Sequence, residues 1–82
     1  MTVKIFWQPE CPKCPQAKEL GEKLKDYGAS VELFNVKEVE GLAESIFFDV
    51  LSTPSVVVVE NGHKKAAWYG EVPEFELVKD LI

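Results

Sequence analysis

The chain has 82 residues, 46% of them hydrophobic, and a formal net charge of −5 at pH 7. This length suits a single domain over residues 1–82 with a modest core. The nine basic residues are scattered lysines, so no basic stripe is present to displace counterions from a nucleic acid. No apolar run approaches a membrane span, and Val3 begins a strand-like pattern before a signal peptide could fit. We therefore expect a cytoplasmic monomer that binds neither nucleic acid nor membranes.

Both cysteines lie in one stretch, Cys11-Pro12-Lys13-Cys14, between a strand-like run and a helix-periodic run. A thiol attacks a disulfide only as the thiolate, and a helix N-terminus stabilises this anion because its first N–H groups are unpaired. We expect Cys11 at such a position. Cys14, one turn further along, is close enough to reach the same sulfur and to resolve a mixed disulfide. The spacing therefore indicates Cys11 as the nucleophile and Cys14 as the resolving thiol.

Residues around Cys11 should set the shape and the charge of this loop. Pro12 suits the first helical position, whereas Pro15 removes the N–H that would bond to the Cys11 carbonyl, so we expect an irregular opening turn. The Glu10 carboxylate should raise the pKa of the Cys11 thiol and the Lys13 ammonium should lower it. These effects partly cancel, so we expect the helix end to hold the pKa of Cys11 below its usual value.

Two other roles for the cysteine pair remain open. As a structural disulfide, so short a loop would stabilise the fold by about 2 kcal/mol, against about 5 kcal/mol for a bridge over about 100 residues. As half of a zinc site the pair lacks partners, because tetrahedral zinc needs four ligands and His63 is the only histidine. A lone Cys-x-x-Cys in a reducing cytosol is more often catalytic than structural, so we favour redox chemistry.

Apolar periodicity predicts two strands and two helices in the first part of the chain. A strand at 3–7 precedes a helix over 17–27, which Gly28 ends, and a second strand follows at 30–36. A second helix is indicated by the helical spacing of five apolar residues: Leu42, Ala43, Ile46, Phe47 and Val50.

A hairpin follows in the second part of the chain. Thr53-Pro54 breaks the second helix and leads into a buried strand at 55–59. Asn61-Gly62 is a strong signal for a two-residue turn, which would pair this strand with residues 63–69. The two strands should therefore be antiparallel neighbours.

A last helix completes the predicted order of elements. Gly70 ends the hairpin, and Pro73 opens a helix with four apolar residues that we expect to face inward: Phe75, Leu77, Val78 and Leu81. The order is β-α-β-α-β-β-α, which belongs to the α/β class. A helix between the first two strands implies that these strands are parallel and joined by a right-handed crossover.

With Cys-Pro-Lys-Cys after the first strand, Thr53-Pro54 before the third and this order of elements, the chain resembles the thioredoxin/glutaredoxin superfamily. The resemblance covers essentially the whole chain and looks closest to the small thioredoxin- or glutaredoxin-like proteins of archaea and anaerobic bacteria. It implies a thioredoxin fold, in which three helices flank a four-stranded mixed sheet.

The resemblance also implies roles for particular residues. Cys11 and Cys14 match the attacking and resolving thiols, which form a redox-active disulfide and need no further cofactor. Thr53 and Pro54 match a dipeptide whose proline is cis and whose preceding residue offers backbone hydrogen bonds to an extended substrate. Gly70 matches a glycine after the last strand that lets a substrate backbone approach.

The chain departs from both families at several positions. Typical thioredoxins have tryptophan at the position of Glu10, and Ile5 occupies the place of their buried aspartate, so the usual proton acceptor for the resolving thiol is absent. Cys-Pro-x-Cys is the glutaredoxin pattern, but Gly70-Glu71-Val72-Pro73 lacks the Gly-Gly and aspartate that bind glutathione. Glu10 and Glu71 should also disfavour acidic partners. These departures disfavour glutathione as a ligand.

The leading hypothesis is a dithiol–disulfide oxidoreductase that reduces protein disulfides. The resemblance implies clients such as ribonucleotide reductases and other thiol-cycling enzymes. The electron donor is open between a flavoprotein reductase, a ferredoxin-linked reductase and glutathione. A Cu(I) or soft-metal carrier that uses the same cysteines is the main rival, since thiolates select Cu(I). A non-catalytic binding module with this fold is a further alternative.

Overall fold

The computed structural model describes residues 1–82 and contains the seven elements in the predicted order: β1 (Thr2–Trp7), α1 (Cys14–Tyr27), β2 (Ser30–Asn35), α2 (Val39–Phe47), β3 (Ser55–Glu60), β4 (His63–Tyr69) and α3 (Phe75–Lys79). The strands form one sheet in the order β2-β1-β3-β4. β1 is parallel to β2 and antiparallel to β3, and β3 is antiparallel to β4. This mixed four-stranded sheet with three helices confirms the predicted fold.

The sheet separates two hydrophobic layers, to which alternate residues of β1 and β3 contribute. One layer lies under α1 and α3 and contains eight buried residues: Val3, Ile5, Ala17, Leu20, Leu24, Val56, Val58 and Val78. The other lies on the opposite face and contains five: Phe6, Phe48, Val50, Val57 and Val59. Because both faces are covered, Ser55–Val59 is buried at every position, as the run of valines predicts.

Two predicted turns are confirmed. Asn61 and Gly62 have φ values of 53° and 80°, which suit the tight turn between β3 and β4. Gly28 ends α1 in the left-handed conformation, and its N–H donates to the Lys25 carbonyl. None of the helices combines the length and the apolar character that crossing a bilayer requires.

The predicted ends and faces of two helices need correction. α1 begins at Cys14, so Pro15 and not Pro12 occupies its first turn, where a missing N–H costs little. In α3, Val78 is fully buried but Leu77 is 55% exposed, so the inward orientation predicted for Leu77 is wrong. The helix has only five residues, and its short length leaves room for one fully buried side chain.

The apolar spacing in α2 predicts the helix but not the face that it buries. Gly41 and Ser45 are the buried positions, whereas Ile46 and Phe47 are 68% and 71% exposed. The cause is a close approach of backbones, because a Cβ on Gly41 would overlap the carbonyl group of Asn35 at the end of β2. The small side chains of α2 therefore face the sheet, and the layer beneath is filled by Phe48, which follows the helix.

Replacement of Gly41 with alanine tests this close approach. The added methyl group would overlap backbone, which cannot move aside as a side chain can, so we expect the free energy of unfolding to fall by about 1–3 kcal/mol. Gly21→Ala is a matched control, because its methyl group would meet only side chains, of which the end of Ile5 is the nearest at 3.0 Å. Urea denaturation followed by circular dichroism measures both. Equal stability of the two variants would show that α2 is not held against β2.

Candidate active site

The register of the sheet brings the predicted site residues to one edge. Phe6 pairs with Ser55 near the end of β1, and Ser55 pairs with Tyr69 at the end of β4. The loop after Trp7, the segment before Ser55 and the segment after Tyr69 therefore leave the sheet at the same edge. These segments carry the cysteines, Thr53-Pro54 and Gly70, which are far apart in sequence.

Cys11 and Cys14 are joined in a disulfide, with Cα atoms 5.3 Å apart. The two cysteines differ in exposure, since Cys14 is only 3% exposed whereas Cys11 is partly accessible. Disulfide exchange depends on access to the attacking sulfur. The geometry therefore leaves Cys11, but not Cys14, accessible to an incoming molecule.

The position of Cys11 relative to α1 differs from the prediction. Cys11 lies before the helix, since Lys13 is the capping residue and Cys14 begins α1. The opening turn is irregular, as expected from Pro15, but the Cys11 carbonyl is not left without a partner, because it accepts the Cys14 N–H at 3.2 Å. The Lys13 N–H has no backbone acceptor. Because Pro12 and Pro15 have no N–H and the Cys14 N–H is already bonded, fewer anion-stabilising groups lie near Cys11 than at an ordinary helix N-terminus.

The segment before β3 has the predicted conformation. The Thr53-Pro54 peptide bond is cis, and Pro54 is fully buried. Thr53 is partly buried, and neither its N–H nor its carbonyl takes part in a hydrogen bond within the chain. Because unpaired backbone groups at a sheet edge can pair with an extended peptide, Thr53 is free to bind one.

A buried serine, which the sequence interpretation missed, connects this segment to Gly70. The Ser55 hydroxyl donates to the Ser52 carbonyl at 2.8 Å and accepts the Gly70 N–H at 3.3 Å. Gly70 has a φ of 73°, and a Cβ there would lie 3.2 Å from the Ser52 hydroxyl. The sequence contains one signal for this role, because Ser55 is the polar residue at the start of the valine run. Ser55 therefore fixes two parts of the candidate site relative to each other.

A pocket of about 260 Å³ contains both cysteines, with Trp7, Glu10 and Lys18 among its lining residues. Glu10 is exposed and has a φ of 63°. Lys18, which the sequence interpretation did not single out, places its Nζ atom 3.5 Å from the centroid of the Trp7 ring. The pocket therefore combines the Cys11–Cys14 disulfide with one carboxylate and one ammonium group.

Other predicted residues lie outside this pocket. Lys13 and Glu71 are exposed and do not line it. Thr53 lines a neighbouring pocket of about 350 Å³, and Gln8 borders both pockets. Ile5 is fully buried in the layer under α1. No group of three or more His, Cys, Asp and Glu side chains is placed to hold a metal ion.

Ser55→Ala tests whether the buried hydroxyl holds the site together. Its loss would leave the Ser52 carbonyl and the Gly70 N–H without their partner, so we expect the free energy of unfolding to fall by about 1–3 kcal/mol. Ser30→Ala, at an exposed position of β2, should change it by less than about 0.5 kcal/mol. Urea titration of both variants measures the difference. A Ser55→Ala protein as stable as the control would refute the linking role.

Comparisons with known proteins agree with this geometry. A family model described as a thioredoxin domain matches residues 1–82. A probable thioredoxin of Archaeoglobus fulgidus is 33% identical over 57 residues, which cover 68% of this chain and 63% of that protein. A chloroplastic M-type thioredoxin of Spinacia oleracea is 29% identical over 79 residues, which cover 93% of this chain and 42% of that protein. The chain thus spans less than two thirds of the length of these relatives.

The structural comparison supports the same fold. A variant thioredoxin from Halobacterium salinarum NRC-1 superposes with a TM-score of 0.83 at 23% identity, covering 99% of this chain and 70% of that one. The superposition covers the sheet and the helices described above. Since the family model covers the whole chain, this protein belongs to the thioredoxin domain family.

Proposed function

We propose that this chain is a thiol–disulfide oxidoreductase that reduces protein disulfides through Cys11-Pro12-Lys13-Cys14. The observation that carries the proposal is the unequal exposure of two disulfide-bonded cysteines at the sheet edge that also carries Thr53-Pro54. A structural bridge would not require one accessible sulfur. Membership of the thioredoxin domain family supports the same activity.

The reaction proceeds in two exchange steps. The Cys11 thiolate attacks one sulfur of the client disulfide, whose S–S bond breaks, and the other client sulfur leaves as a thiolate that takes up a proton from solvent. Cys14 then loses its proton and attacks the Cys11 sulfur of the mixed disulfide. The Cys11–Cys14 bond forms, and the second client thiol is released. Two electrons pass to the client, and an external donor must then reduce Cys11–Cys14.

Thr53 and Gly70 bind the client in this proposal. The free N–H and carbonyl of Thr53 can pair with an extended client strand next to the scissile disulfide. Gly70 has no side chain to obstruct the approaching backbone. Backbone pairing is tolerant of client sequence, which suits a reductase with several partners. Ribonucleotide reductases and other thiol-cycling enzymes in the cytoplasm are suitable clients, and a flavoprotein or ferredoxin-linked reductase is a suitable donor.

Serine variants of the cysteines test the dithiol mechanism. With dithiothreitol as donor and insulin as substrate, we expect Cys11→Ser to fall to the rate of dithiothreitol alone, because no accessible nucleophile remains. Cys14→Ser that has been reduced and then freed of dithiothreitol should attack insulin once and stop as a mixed disulfide, which mass spectrometry detects. Full turnover by Cys11→Ser would contradict the assignment. A wild-type protein without turnover that binds Cu(I) tightly would favour the soft-metal carrier instead.

The charge of Glu10 and Glu71 should lower the rate of reaction with glutathione disulfide. Reversing both charges with Glu10→Lys and Glu71→Lys should raise that rate about three-fold or more, because repulsion of the anionic substrate is removed, and should change insulin reduction less. The control is Glu22→Lys with Asp26→Lys, which makes the same change in net charge at exposed positions of α1. An unchanged ratio of the two rates would reject this role of Glu10 and Glu71.

A further inference from the structure

The side chain of Lys18 is held in the wall of the pocket that contains both cysteines. Its Nζ atom lies 3.5 Å from the centroid of the Trp7 ring, within the range of a cation–π interaction. Both side chains are partly buried, and both line the pocket together with Cys11 and Cys14. Tryptophan attracts cations more strongly than the other aromatic residues. Trp7 therefore restricts a flexible ammonium group to this wall.

Lys18 is a helical neighbour of the resolving cysteine. It follows Cys14 by four residues on α1, a spacing at which Cβ atoms are about 5–6 Å apart on the same face. Cys14 is 3% exposed, so a thiolate there would have little contact with water. Burial disfavours a thiolate, whereas a nearby cation favours it. Lys18 supplies that cation on the element that also carries the thiol.

No other ammonium group lines this pocket, and its one carboxylate, Glu10, is exposed on the loop. Lys13 is exposed and lies outside the lining. α1 packs against β1, β2 and α3, and the charged groups of these three elements form ion pairs outside the pocket lining. Lys4 of β1 pairs with Glu32 of β2 and with Glu44. A separate cavity between α1 and the start of α3 collects another group of charged residues: Glu19, Lys23, Glu74 and Glu76.

We propose that Lys18 is a positioning residue for the second exchange step, in which its charge stabilises the Cys14 thiolate. This proposal rests on the function proposed above. Cys14 gives its proton to solvent buffer, and Lys18 keeps its own throughout. The thiolate then forms the bond to Cys11 as the bond between Cys11 and the client sulfur breaks. The client sulfur leaves with the electron pair of that bond and takes up a proton from solvent.

Single-turnover kinetics with dithiodipyridine separate the two steps. Attack by Cys11 on this disulfide releases one coloured thione, and displacement by Cys14 releases the second. The reagent is neutral near pH 7, so direct attraction to Lys18 does not confuse the result. Stopped-flow traces are recorded over a pH series for the wild type, Lys18→Met and Lys18→Arg. Lys25→Met, at an exposed position in the last turn of the same helix, is the matched control.

Lys18→Met should slow the second phase about three- to ten-fold near neutral pH and move its pH midpoint upward, because less of Cys14 is then ionised. The first phase should change by less than about two-fold, because solvent screens the charge of Lys18 more at the partly accessible Cys11 than at the buried Cys14. Lys18→Arg keeps the charge and should restore the midpoint of the second phase. Lys25→Met should match the wild type in both phases.

Three results would overturn the proposal. One is a second-phase midpoint that does not move in Lys18→Met. Another is a midpoint shift that Lys18→Arg fails to restore, which would indicate a packing role. A third is a midpoint shift confined to the first phase, which would show that the charge of Lys18 acts on the Cys11 thiolate. A wild-type protein that releases no thione at all would instead overturn the proposed function itself, and the two failures are therefore distinguishable.

Discussion

The antiparallel pairing of β1 with β3 is the constraint on which the candidate site depends. It places Ser55 opposite Phe6, so the segment that enters β3 meets the segment that leaves β1. A slip of one residue would exchange the two faces of the valine run and move Pro54 along the edge. The two hydrophobic layers prevent such a slip, because each takes alternate residues from the central strands. The geometry of the site is thus a consequence of core packing.

Much of the fold could be predicted from the sequence because its signals are local. Asn61-Gly62 specifies the hairpin through two adjacent residues with positive φ, and Gly28 ends α1 in the same way. The Cys-x-x-Cys spacing needs only one turn of chain to bring the thiols together. The cis bond before Pro54 was expected from resemblance to a family and not from local preference, since cis bonds are uncommon even before proline.

Features that depend on contacts between distant segments could not be predicted in this way. The buried face of α2 is set by the approach of Gly41 to the end of β2, whereas apolar periodicity alone would turn Ile46 and Phe47 inward. The role of Ser55 requires knowledge that Gly70 follows Tyr69, the residue opposite Ser55 across the hairpin. Lys18 likewise has no sequence signal, because its contact with Trp7 joins a helix to the strand before it.

The start of α1 changes the electrostatic basis of the cysteine chemistry. Cys11 precedes α1 in the chain and is joined by the disulfide to Cys14, the first residue of the helix. Pro12 and Pro15 remove two backbone donors, so fewer N–H groups can stabilise a thiolate here. Side-chain charges must then account for more of the difference in stability between the two thiolates. Glu10 adjoins Cys11 in the chain, whereas the ammonium group fixed by Trp7 lies one helical turn beyond Cys14. In the proposed mechanism, exposure would therefore select Cys11 as the thiol that meets the client, and the charge of Lys18 would assist Cys14 in releasing it.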